Sequence, residues 1–127
     1  MTKKLLIVDD TIFMRRSIRD ILDGSEIEIV GEAANGIMGV EMYKELRPDV
    51  VTMDITMPEM TGIEALKAIK AFDPQAKVIM VTAIGQEGVV KEAILYGAKT
   101  FIVKPFKKEY FYQTLCKVLG IKGDSKA

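Results

Sequence analysis

Three aspartates and a lysine, each placed at the end of a short apolar run, are the side chains best positioned to do chemistry. Asp9 and Asp10 follow the run 5–8, Asp54 closes the run 50–53, and Lys104 follows the run 101–103. A further run, 78–81, ends at Thr82. Carboxylates gathered in one crevice repel each other, and one gains a proton unless a cation intervenes. Mg²⁺ answers that need: it takes oxygen ligands, keeps several waters, and is held by one or two protein carboxylates together with a substrate phosphate. With a metal on Asp9 or Asp10, Asp54 is free to act as a nucleophile, already ionised near its ordinary value of ~3.9 and in need of no general base. Lys104 would balance charge on phosphoryl oxygens, and Thr82 would donate a hydrogen bond to one of them. The product of such an attack is an aspartyl phosphate.

Each residue also has a plainer role. Asp9 or Asp10 could cap the helix that follows, and Thr82 could satisfy the start of another through its hydroxyl. Asp54 could be a solubilising strand-end acid, Lys104 a solvated lysine, and Pro105 an ordinary strand terminator. What favours chemistry is the convergence: several strands ending in unlike titratable groups at one mouth.

The elements must therefore bring those ends together. Short apolar runs alternate with amphipathic segments in about five rounds, the pattern of an α/β fold with a parallel sheet. In the first helix Met14, Ile18, Ile21 and Leu22 recur at helical spacing, leaving Arg15, Arg16 and Arg19 mostly outward, and Asp23-Gly24 closes it. The second run, 27–30, is interrupted by Glu28 and reads as an edge strand; Asn35-Gly36 opens a helix that runs to Leu46, before Pro48. Met57-Pro58 stops the Asp54 strand, leaving the carboxylate at a loop mouth. Thr61 to Glu64 matches a capping box ahead of Ala65, Leu66 and Ile69, and Asp73-Pro74 ends that helix. The segment 86–96 is helical by pattern but carries Gly88, which costs roughly 1 kcal/mol relative to alanine, so it should be the loosest helix. The last helix aligns Phe111, Leu115, Val118 and Leu119 and stops at Gly120, and the polar remainder, 121–127, should fray.

Right-handed crossovers and short loops lead to a doubly wound, five-stranded parallel sheet with helices on both faces. The strand order 2-1-3-4-5 is taken over from flavodoxin, which is wound that way. It makes strands 1 and 3 neighbours, so that Asp9, Asp10 and Asp54 share a crevice with Thr82 and Lys104 beside them.

Composition narrows the function. The 127 residues suit one domain, 1–120, with no room for an effector module. Lys plus Arg and Asp plus Glu both number 18, so there is no basic footprint for nucleic acid. The apolar lead after Lys3-Lys4 ends at Val8, too early for a signal peptide, and no run approaches a membrane span. Cys116 is the only cysteine, which excludes an internal disulfide and fits a reducing, cytoplasmic setting. With no histidine, His-based metal sites, Ser-His or Cys-His nucleophile pairs and a phosphohistidine on this chain are excluded.

At Ile7-Val8-Asp9-Asp10, Asp54-Ile55-Thr56-Met57-Pro58 with Gly62, Thr82-Ala83 and Lys104-Pro105, the sequence resembles the receiver domains of two-component response regulators over nearly its full length. The resemblance implies phosphorylation of Asp54 from a kinase phosphohistidine. It implies Mg²⁺ on Asp10, Asp54 and the backbone carbonyl of Thr56, with Asp9 acting through water, and a phosphoryl group held by Thr82, Ala83 and Lys104. It further implies a cis peptide at Lys104-Pro105, and a switch in which Thr82 moves toward the phosphoryl group while Phe101 turns inward. An output face would carry Lys91, Tyr96, Lys99, Phe101 and Lys108, suited to an acidic, amphipathic partner helix. For Phe101 a core aromatic is the plainer reading. Within the family the chain is similar to stand-alone chemotaxis regulators of the Gram-positive and deep-branching type. That implies a monomer whose partners are a chemotaxis histidine kinase, a flagellar motor switch protein and a phosphatase. Thr56 and Ile84 stand where better-studied enteric members carry Asn and Glu, so a phosphoryl lifetime does not transfer.

Two rivals within the fold remain open, and a third lies inside the family. A flavin or nucleotide binder wants a hydroxyl- or glycine-rich loop after the first strand, where Asp9-Asp10 would repel a phosphate. A phosphohydrolase of the haloacid dehalogenase type wants an acid two residues after Asp9, and Thr11 is not one. A single-domain phosphorelay intermediate of the sporulation type has the same site and differs in its partner.

Overall fold

A computed structural model describes residues 2–122, so the tail expected to fray lies outside the described residues from 123 onward. Strands and helices alternate: β1 Lys3–Val8, α1 Ile12–Leu22, β2 Ile27–Ala33, α2 Gly36–Leu46, β3 Val50–Asp54, α3 Gly62–Phe72, β4 Val78–Ala83, α4 Glu87–Leu95, β5 Thr100–Lys104 and α5 Lys108–Leu119. The five strands form one sheet in the order β2-β1-β3-β4-β5, with every pair parallel. The doubly wound expectation therefore holds.

The pleat of β1 shows how this sequence builds two cores from one strand. Leu6 and Val8 point into a cluster with Val40 and Tyr43 of α2, Leu66 and Ile69 of α3, and Val90 and Ala93 of α4. Leu5 and Ile7 point the opposite way, to Ile18 and Leu22 of α1 and Phe111 and Leu115 of α5. Alternate side chains of a strand take opposite faces, so an unbroken apolar run is what a sheet covered on both sides requires. All five residues of β3, the central strand, are buried.

Local signals set the helix ends. The Thr11 hydroxyl accepts from Met14 N, the Asn35 side chain accepts from Met38 N, and Thr61 with Glu64 forms the reciprocal capping box. Thr11 thus takes the capping role that was open to Asp9 or Asp10. Gly120, at φ 71°, closes α5.

Two expectations need correcting. The second strand does not stop at Val30: β2 continues through Gly31 and Glu32 because their backbones pair with Leu6 and Ile7 of β1, after a register shift between Leu5 and Leu6. Gly31 is tolerated there because it lies under α2, where a Cβ would come 2.6 Å from Met42 Cε. Arg15 does not face outward. Its Nε lies 3.1 Å from Glu32 Oε1 and its Nη1 donates to the backbone carbonyl of Asp9 at 2.6 Å, while Arg19 pairs with the other oxygen of Glu32.

Candidate functional site

The crevice forms where β1 and β3 end side by side. Val8 pairs with Met53, so the next residue on each strand, Asp9 and Asp54, emerges at the same carboxyl edge. Asp9 and Asp54 are buried and Asp10 is exposed, and one carboxylate oxygen from each lies within 4.8 Å of the others. Lys104, at the end of β5, reaches across with Nζ 3.4 Å from Asp9 Oδ2 and 3.5 Å from Asp54 Oδ1.

Asp9 and Asp54 are held by the loops that follow them. Asp9 Oδ1 accepts from the backbone N–H and the hydroxyl of Thr11, both at 2.9 Å, which turns Oδ2 toward Lys104. Asp9 N donates to Ala33 O at 3.0 Å, and Arg15 holds the Asp9 carbonyl from the other side. Beyond Asp54 the chain turns back on itself. Ile55 N donates to Val81 O, and Gly62 N donates to Ile55 O at 2.8 Å, seating the start of α3 directly on the Asp54 backbone. The Lys104–Pro105 peptide at the opposite wall is cis.

Burial raises the Asp54 carboxyl to about 6; the neighbouring Lys104 opposes the rise, and the Asp9 and Asp10 carboxylates add to it. This is well above the ordinary carboxylate value assumed from sequence. Asp54 is still predominantly ionised at neutral pH, so the argument that it needs no general base survives.

The donor set fits Mg²⁺ chemically: hard carboxylate oxygens, one of them solvent-facing on Asp10, with mutual repulsion that a single ammonium does not cancel. Three carboxylates whose oxygens lie within 4.8 Å of one another are close enough that one cation could serve them together.

The end of β4 contributes Thr82, buried, and Ala83, in register with Val103 and Lys104 of β5. Their donors are engaged by a residue that the sequence reading did not single out. Gln86 Oε1 accepts from Thr82 Oγ1 at 2.9 Å and from Ala83 N at 3.0 Å, and Gln86 Nε2 donates to Thr56 Oγ1 at 2.9 Å. A glutamine before a helix carries no sequence signal of this kind, since Thr56 is thirty positions away.

Phe101 is 38% exposed and sits at the rim of a cavity of about 300 Å³ that it lines with Thr82, Ile84, Val90, Lys91 and Val103. The ring is therefore not the plain core aromatic allowed for above. The residues expected to make one output face lie on or beside α4, β5 and α5. Lys91 shares the Phe101 cavity, and Lys99 lies with Tyr110 and Lys117 in a groove between β5 and α5. Lys108 lies on the α1 side with Phe13, Asp20 and Phe106, because the Pro105 turn starts α5 against α1. The Tyr96 ring is turned to α3, with Lys67 Nζ 4.1 Å from its centroid.

Known proteins resemble this chain in sequence and fold. The family model described as the response regulator receiver domain matches residues 5–115. The chain is 55% identical over 118 residues to the chemotaxis protein CheY of Thermotoga maritima, covering 93% of this chain and 98% of that one. It is 55% identical over 120 residues to the chemotaxis protein CheY of Bacillus subtilis, covering 94% and 100%. Among solved structures, the CheX-CheY-BeF3-Mg complex of Borrelia burgdorferi contains a chain that superimposes with a TM-score of 0.88 at 41% identity, covering 94% of this chain and 90% of that one. The response regulator domain of Thermotoga maritima CheB superimposes with a TM-score of 0.86 at 36% identity, covering 96% and 99%.

Proposed function

The chain belongs to the response regulator receiver domains, and on that premise we propose that it is a chemotaxis response regulator that accepts a phosphoryl group on Asp54. The observation that carries this is the meeting of Asp9, Asp10 and Asp54 beneath Lys104 at the switch point between β1 and β3.

In the proposed reaction an Asp54 carboxylate oxygen attacks phosphorus in line. The new bond is P–O, the bond broken is the P–N bond of a kinase phosphohistidine, and the departing imidazole takes up a proton. This chain has no histidine, so the donor imidazole comes from the partner. Asp9, Asp10, Asp54 and the Thr56 carbonyl are the residues that would hold Mg²⁺, which supplies charge neutralisation to the phosphoryl oxygens when bound. Lys104 provides the complementary cation, and Thr82 and the Ala83 N–H are the donors for the remaining oxygens. The domain promotes its own phosphorylation and the later hydrolysis, and is not an enzyme acting on a separate substrate. Phe101 and Thr82 form the switch, with the cavity behind Phe101 able to receive its ring.

Identity to chemotaxis regulators over nearly the whole chain supports a chemotaxis kinase and a flagellar motor switch as partners. The relative solved with CheX supports a phosphatase partner as well. Among the described residues no helix is long and apolar enough to cross a membrane. A flavin reading is disfavoured because the loop after β1 presents carboxylates where that ligand needs donors.

The test is uptake of label from acetyl phosphate with Mg²⁺. Stoichiometric, self-limiting labelling that Asp54→Ala abolishes supports the proposal. Labelling that persists in that variant, or turnover of many equivalents, would overturn it. Capture of a motor switch protein rather than a phosphotransfer domain separates chemotaxis from a phosphorelay.

A further inference from the structure

We propose that Gln86 is a built-in competitor for the phosphoryl group, a positioning residue whose side-chain amide occupies the donors of Thr82 and Ala83 until a phosphoryl oxygen takes them. The inference rests on the phosphoryl-acceptor reading of Asp54 and adds a residue to it.

The orientation of the amide follows from its neighbours. The Ala83 backbone nitrogen can only donate, so the Gln86 atom 3.0 Å from it is the carbonyl oxygen, and the amide nitrogen is the atom facing Thr56 Oγ1. The same oxygen takes the Thr82 hydroxyl at 2.9 Å; the alternative acceptor for that hydroxyl, Ala83 O, is at 3.3 Å. A hydroxyl and a backbone amide carry one hydrogen each, so a donor given to Gln86 is withheld from another acceptor. An amide oxygen and a phosphoryl oxygen therefore exclude one another at these two groups. A phosphoryl oxygen carries charge and makes the stronger hydrogen bonds, so it wins the exchange at a cost set by the bonds to Gln86.

The exchange also has a mechanical consequence. Gln86 immediately precedes α4 and acts as its N-cap position, yet its side chain is engaged with β4 and with the loop after β3 rather than with the helix. Loss of both bonds to Oε1 frees the N-cap residue of α4 from the end of β4. Occupancy of the acidic pocket is thereby passed to α4 by the two hydrogen bonds of one side-chain oxygen.

Gln86→Ala and Gln86→Met remove the competing acceptor, the second preserving side-chain length. Binding of beryllofluoride is measured in the presence of Mg²⁺, by titration of backbone amide resonances, alongside binding of Mg²⁺ alone. Both variants are expected to bind beryllofluoride about tenfold more tightly than the parent, as befits two neutral hydrogen bonds no longer broken. Their affinity for Mg²⁺ alone is unchanged, and the Ala83 amide exchanges faster before the mimic is added. Gln86→Glu keeps the acceptor and adds a charge facing the phosphoryl group, so its affinity falls below that of the parent.

Beryllofluoride affinity within twofold of the parent in both the Ala and Met variants, or weaker binding in both, overturns the proposal. If the Ala variant does not fold, the Met variant decides alone. A parent protein that binds no beryllofluoride removes the phosphoryl-acceptor reading and this inference together. A parent that binds it through Asp54, with unchanged Gln86 variants, removes only this one.

Discussion

A Cβ placed on Gly62 would lie 2.2 Å from the backbone carbonyl oxygen of Asp54. The two are brought together because α3 begins directly on the end of β3, with Gly62 N bonded to Ile55 O. The obstacle is backbone, not the tip of a flexible side chain, so it cannot move aside without moving the Asp54 carboxylate. Gly62→Ala is expected to lower stability by about 2 kcal/mol, the scale of overpacking in a tight interior. It is also expected to slow labelling by acetyl phosphate about tenfold or more; urea denaturation and a labelling time course check the two effects. Labelling at the parent rate would show that Asp54 does not depend on this contact.

The raised Asp54 carboxyl makes stability depend on pH in a definite direction. Because its folded value, about 6, exceeds the ordinary unfolded value of 3.8, protonation favours the folded state. This contribution is fully present below pH ~4 and is lost as pH rises through about 6. Metal-free protein with Asp54→Asn should therefore be more stable than the parent at pH 7, by up to about 3 kcal/mol, and no more stable at pH 4. Thermal denaturation at the two pH values checks this. Labelling at limiting Mg²⁺ should decline as pH falls through about 6, and at saturating Mg²⁺ the decline should move to lower pH.

Lys104 sits between two carboxylates, at 3.4 and 3.5 Å, and so should act oppositely on the two ligands of the pocket. Its ammonium offsets acid charge that would otherwise attract a cation, but it would meet the phosphoryl oxygens directly. Lys104→Met is expected to bind Mg²⁺ several-fold more tightly and beryllofluoride at least tenfold more weakly. Titration of each ligand checks the split, and parallel changes would count against a direct contact with the phosphoryl group.

Thr52, in the middle of β3, is buried with a hydroxyl that has no hydrogen-bond partner among the described residues. An unsatisfied buried polar group costs about 1–3 kcal/mol, and valine has nearly the same shape. Thr52→Val should stabilise the fold by about 1 kcal/mol in chemical denaturation. Labelling of Asp54 should not change, since Thr52 pairs with Ile7 and Ile79 in the sheet interior.

The strand ends and helix caps were legible because they follow local rules. Asp54 closes an apolar run, Thr61 and Glu64 stand three apart, and a glycine follows Leu119; each such signal lies within a few residues of the feature it produces. The acidic cluster was legible one step further on, because a doubly wound order puts β1 beside β3 whatever fills the loops. The turn of Arg15 inward and the length of β2 were not legible for a common reason: what holds Arg15, and what extends β2 past Val30, is partnership with a segment distant in sequence.

From the order of residues alone came the parallel sheet, the acids at the ends of β1 and β3, and the absence of any histidine to serve them, since side-chain type and period are properties of the chain itself. Folding alone settled that burial lifts Asp54 toward 6, that the amide of Gln86 lies across Thr82, Ala83 and Thr56, and that Lys91, Lys99 and Lys108 each line a groove with different neighbours. Those are matters of which groups meet and how much water remains between them, and such meetings exist only after distant segments have packed.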